Sequence, residues 1–185
     1  RSSPDLDTAC RVAGVHKLTM FKILKFSGVM LIADRLKMGT PGGRLGASGE
    51  QEFQRLMPAA RSMNAICEGN PGFDFDVHGW RVDVKSASPT KKTGRKTTAK
   101  TWQAKICEPD RAPSELVDMF CIFFSHNPAE KMMRAGAYSM FLVPADLVRG
   151  RKYLCRTEGQ PGPLDEFEVQ PADLAAFFEP LEKAA

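Results

Sequence analysis

Apolar and polar residues alternate strictly along residues 73–86, on both sides of His78-Gly79. Alternation with period two marks half-buried strands. A bulky residue followed by glycine between two such runs predicts a two-residue hairpin turn. Folding there sets Val77 opposite Trp80, Asp76 opposite Arg81 and Asp74 opposite Asp83. Phe73, Phe75, Val77, Val82 and Val84 then share one face. Asp74, Asp76, Asp83 and Lys85 share the other. Asp76 facing Arg81 is accounted for by a cross-strand ion pair.

The remaining pattern predicts further elements. Residues 101–106 read as a third strand. The largely apolar runs 118–124 and 138–143 read as central strands covered on both faces. Residues 153–156 add an edge strand. Residues 114–117 form at most a short helix, and His126 sits in a turn. A closing helix over 171–181 gathers Leu174, Phe177, Phe178 and Leu181 on one side. Ahead of the hairpin, Ser48 is placed to cap a helix in which Glu50, Phe53, Met57 and Ala60 recur at helical spacing. Glu50 lies on its inward flank, and Glu52, about 160° around, faces solvent. The helix breaks near Pro58.

Residues 8–25 read as helix, tight turn at Gly14 and second helix, a helix-turn-helix-like pattern. The polar face of the second helix offers His16, Lys17, Thr19 and Lys22 to a DNA groove. Packing of a plain helical hairpin gives the same pattern. Residues 39–46 hold four glycines and a proline, which predicts a linker. The expected division is therefore a helical unit over 1–38, a linker over 39–46 and a larger domain over 47–185.

Composition adds little beyond a soluble class: 43% hydrophobic and 26% charged over 185 residues, with a net charge of +4. No apolar run approaches the length of a membrane span. No secretory leader opens the chain, so the cytoplasm or nucleoid is the expected location. The five cysteines are scattered without a C-x-x-C pair, which argues for buried free thiols. Charge distribution changes the picture more. Lys91, Lys92, Arg95, Lys96 and Lys100 stand in a stretch without an acid, whereas the tail from Glu158 onward is acidic. A basic middle predicts contact with a polyanion, here the phosphates of double-stranded DNA.

Candidate chemistry lies on the polar face of the hairpin. Two carboxylates directly across a hairpin are about 5 Å apart between Cβ atoms and repel. If buried, they need a proton or a cation. Lys85 projects from the same face as Asp83. Two acids and a lysine suit metal-assisted attack on a phosphodiester. Taken alone, Asp-x-Lys is equally the charged outer face of an ordinary hairpin.

The order of residues adds a family. Gly49-Glu50 on a helix, Asp74, then Asp83-Val84-Lys85 on adjacent strands and Gln103 on a third resemble the PD-(D/E)XK nuclease superfamily over about residues 45–144. Pro71 stands where the family's proline does, displaced from Asp74 by two residues. The resemblance implies an α/β fold, a restriction-endonuclease-like αβββαβ core with a mixed central sheet. It implies a Mg²⁺-dependent DNA endonuclease of restriction or homing type, with Mn²⁺ able to substitute and no small-molecule cofactor. Asp74, Asp83 and the Val84 carbonyl would hold the metal. Glu50 would order water or hold a second ion, Lys85 would serve the attacking water, and Gln103 would touch substrate. Products would carry 5′-phosphate and 3′-hydroxyl ends, and two-strand cutting would call for a homodimer. The competing expectations are a non-catalytic DNA-binding regulator and a structure-specific resolvase or repair nuclease, with an RNA-processing nuclease beside the latter.

Overall fold

The computed structural model describes residues 11–15, 41–64, 72–91, 99–106, 116–126, 133 and 136–179. Within these the chain is α/β. Its first long element is helix α1 (Pro41–Leu56). Strands β1 (Arg61–Ser62), β2 (Phe75–Val77), β3 (Trp80–Ala87), β4 (Thr90–Lys91) and β5 (Lys100–Lys105) follow. Then come β6 (Met119–Ser125), β7 (Tyr138–Pro144), β8 (Tyr153–Thr157) and the short helix α2 (Leu174–Phe178).

Five strands make a mixed sheet in the order β1-β2-β3-β6-β7. Within it β3 and β6 run parallel and the other neighbours antiparallel. A second, antiparallel sheet has the order β4-β5-β8. The apolar run of β6 is explained by its position. Met119, Cys121 and Phe123 enter one core cluster, while Phe120, Ile122 and Phe124 enter another. Helices α1 and α2 supply Phe53, Leu174 and Phe178 to the first cluster. The second sheet supplies Trp102, Ala104 and Leu154 to the second. A strand buried on both faces has no room for a polar alternation.

The hairpin forms in the expected register, with Val77 opposite Trp80, Asp76 opposite Arg81 and Phe75 opposite Val82. His78 and Gly79 both take positive φ, 51° and 89°, as a two-residue turn between twisted strands requires. Two details differ. The Asp74 N–H donates to the Val82 carbonyl at 3.0 Å, just outside β2. Phe73 consequently packs against the second cluster, not beside Phe75. Arg81 pairs with Asp118, at 2.7 Å and 3.0 Å from its two oxygens. Asp76 instead accepts the Gly79 N–H of the turn.

The expected linker is also corrected, because residues 41–46 are the first turns of α1. Proline suits the opening of a helix, and burial of Leu45 and Ala47 holds the glycine-rich turns in place. Tertiary packing here overrides propensity. Ser48 is therefore no cap. It lies inside the helix, buried, and its Oγ accepts the Met133 N–H at 2.6 Å.

Gly49 lets α1 settle onto β3. A Cβ there would collide with Ser86 Oγ and stand 3.2 Å from Ser86 Cβ. Gly49→Val is expected to cost about 1–3 kcal/mol through overpacking. A thermal melt checks this, and Ser86→Gly in the same chain should restore part of the loss.

At the amino terminus, residues 11–13 are helical and Gly14 turns with φ 64°. His16, Lys17, Thr19, Lys22 and the rest of the helix-turn-helix-like unit lie outside the described residues. Cys121 is buried and free as expected, whereas Cys155 is exposed on β8.

Candidate active site

The candidate site forms just before β2 begins, where β3 runs on past it. With no further ladder partner on that flank, the Val84 N–H donates at 2.8 Å to Asp74 Oδ2. A strand residue turns its N–H and C=O to the same side, so the Val84 carbonyl opens onto the same edge. Asp74 is almost wholly buried, at 1% exposure.

Asp83 belongs to the opposite face of β3 from Val82 and Val84, in register with Phe120. It is 7% exposed. Lys85, two residues on, shares its face, and the ammonium sits 2.7 Å from Asp83 Oδ1 and 2.6 Å from Oδ2. The Asp83 carboxyl is pushed up to about 7. Burial is the first cause, and the charge and hydrogen bond of Asp74 add to it. Lys85 opposes the shift without cancelling it. At neutral pH the pair therefore stands near the point where a proton on Asp83 is lost. Some positive charge, proton or metal ion, has to share the space between the two acids.

Glu50 reaches this edge from α1, partly exposed. Asn64 is the link: its Nδ2 donates to Glu50 Oε2 at 3.2 Å and to Asp74 Oδ1 at 3.1 Å. Sequence reasoning did not find Asn64. Its place depends on β1, two residues long, pairing with β2 so that the Met63 N–H meets the Asp74 carbonyl at 2.9 Å.

Glu52 is not the solvated acid. It is 7% exposed and accepts from Arg55, with both contacts at 2.8 Å, and from the Tyr138 hydroxyl at 2.7 Å. The flank of α1 that bears Glu52 meets Tyr138 of β7, where the periodicity implied water. Arg55 holds the Glu52 carboxyl below its usual range, against the opposing effect of burial and with help from Tyr138.

Gln103 is not brought to the acids. It lies on the exposed face of β5, opposite the face that sends Trp102 and Ala104 into the core. Lys100 pairs with Glu158 at 3.6 Å, and its N–H donates to the same carboxylate. The basic stretch joins two paired strands, β4 and β5. Lys92, Arg95 and Lys96 lie outside the described residues, as does the side chain of Lys91.

Among the described residues no three His, Cys, Asp or Glu side chains gather to hold a metal. Two buried carboxylates do meet at this edge, and the Val84 carbonyl faces the same flank of β3. Mg²⁺ is commonly held by one or two carboxylates, with water and phosphate oxygens completing its shell. The residues fit that mode, and they do not fit an all-protein cage.

No family model matches the chain, and no curated protein matches it. Among solved structures, it is similar to a bacterial homing endonuclease, I-Ssp6803I, at 12% identity and a TM-score of 0.40. That alignment covers 67% of this chain and 83% of the other. No helix among the described residues is long and apolar enough to cross a membrane.

Proposed function

We propose that the chain is a divalent-metal-dependent phosphodiester hydrolase acting on duplex DNA. One observation carries this reading: two buried carboxylates share an open sheet edge with an ammonium against one of them. A purely structural cluster would be better served by one acid and one base, because a second buried acid held by neutral donors adds charge that one ammonium does not offset. Asp74, Asp83 and the Val84 carbonyl would hold Mg²⁺, which would supply Lewis-acid polarisation of the scissile phosphate and a lowered pKa for attacking water.

The protein's own groups have distinct tasks. The Val84 N–H and the Asn64 amide fix the two oxygens of Asp74. Lys85 keeps Asp83 ionisable at neutral pH and offers its ammonium to charge building up on the phosphate. Glu50 is held at Oε2 by Asn64, an acceptor position suited to orienting water. DNA would be gripped by the basic stretch between Lys91 and Lys100 and by the amino-terminal helical unit. A homodimer would supply the two sites needed to cut both strands at a specific sequence.

The test is cleavage of supercoiled and linear duplex DNA by the full chain, with Mg²⁺ and with chelator. Cutting with Mg²⁺ alone supports the reading. Tight DNA binding with no cutting under either condition would overturn it in favour of a non-catalytic regulator. A four-way junction and single-stranded RNA, offered alongside, would show whether duplex DNA is the right substrate.

A further inference from the structure

Asn64 holds two acids and leaves one of its own atoms over. The orientation of its amide is set by those acids, since turning it over would point a carbonyl oxygen at two carboxylates. In the orientation observed, Oδ1 is buried and has no partner among the described residues. Leaving a buried acceptor without a donor is costly. Both Glu50 and Asp74 are reached by the same Nδ2, so the unpartnered oxygen belongs to the group that joins them. Mg²⁺ gives up its water reluctantly and keeps several molecules when bound. Each such water is a hydrogen-bond donor in need of an acceptor.

We infer that Asn64 is a positioning residue of this site: its NH₂ ties Glu50 to Asp74, and its carbonyl oxygen accepts a hydrogen bond from the hydration shell of the divalent ion. The inference rests on the metal-dependent reading above and assigns a role to a residue outside the family motif. Partners of this kind, one step behind the ligands, typically change metal affinity about 10–100-fold when removed.

The experiment is calorimetric titration of the full chain with Mn²⁺, without DNA. The variants are Asn64→Ala, Asn64→Ser, Glu50→Gln and the Asn64→Ala/Glu50→Gln double. Melting in chelator identifies the folded variants, and Asn64→Ser provides a smaller perturbation should the alanine variant not fold. Both Asn64 variants are expected to bind Mn²⁺ at least about tenfold more weakly. The double variant should lose less than the two single losses multiplied together, because Asn64 ties Glu50 to the site. A residue needed only for folding would lower the melting temperature and leave Mn²⁺ affinity unchanged. Folded Asn64 variants within about twofold of wild type would overturn the inference, as would single losses that simply multiply in the double. Wild type that takes up no Mn²⁺ would overturn the metal-dependent reading along with it.

Discussion

Replacing Lys85 by alanine is expected to slow duplex cleavage by about a thousandfold or more while leaving DNA affinity within about twofold. A thousandfold corresponds to about 4 kcal/mol of transition-state stabilisation. That is within reach of a buried ammonium and beyond an exposed one. Lys85 is three-quarters buried and touches both oxygens of Asp83. On the proposed reading, its loss would remove a positive charge from beside the phosphate and would also leave two buried carboxylates facing each other. Asp83 would then hold its proton more tightly and compete with metal more strongly. These two effects separate by pH. If Lys85 acted only through the ionisation of Asp83, raising the pH would restore cutting. If it also serves the phosphate, most of the loss persists at high pH, which is the expected result. Single-turnover rates and filter-binding affinities across pH measure both quantities. Cleavage within about tenfold of wild type would remove Lys85 from the chemistry.

In chelator, the protein is expected to become less stable as pH rises from about 5 to about 8. The direction follows from Asp83. Its folded-state value of about 7 lies above the ordinary 3.8, so between those values the native chain keeps a proton that the unfolded chain has lost. Stability contributed by that proton is complete below about 4 and is lost as pH rises through about 7. Glu52 and Asp118 act at the other end. Arg55 and Arg81 respectively hold them below their usual values, so their contribution disappears only in acid. Saturating Mg²⁺ or Mn²⁺ should reverse the loss at pH 8. Ligand at about a hundred times its dissociation constant adds about 2.7 kcal/mol, and a chain of this size gains about 2–4 °C per kcal/mol. The melting temperature should therefore rise by about 5–10 °C. Asp83→Asn should flatten the pH dependence and abolish the metal effect. Melts that stay level from pH 5 to 8, or that respond to metal equally in Asp83→Asn, would contradict the assignment.

The hairpin was legible in the sequence because its information is local. Alternation sets the faces, and His78-Gly79 sets the turn, so the register of Asp76 with Arg81 follows without tertiary knowledge. The double burial of β6 was legible for a similar reason, as an unbroken apolar run. The start of α1 was not. Glycine and proline argue locally for a break, and only the packing of Leu45, Ala47 and Gly49 on the rest of the chain makes those turns helical. The roles of Glu50 and Glu52 were only half legible. Periodicity puts them on opposite flanks, but it does not tell that the second flank meets Tyr138. Gln103 shows the same limit: its strand was readable, but which face would turn outward was set by a second sheet. Asn64 left no pattern at all, since a two-residue strand is too short to have a period.

The most direct test is a Mn²⁺-soaked crystal of the full chain, examined by anomalous scattering. One strong peak is expected at the sheet edge within ligand distance of both the Asp74 and Asp83 carboxylates, absent from an Asp74→Asn crystal soaked alongside. No peak there, with the two side chains still ordered, would contradict the metal-dependent reading.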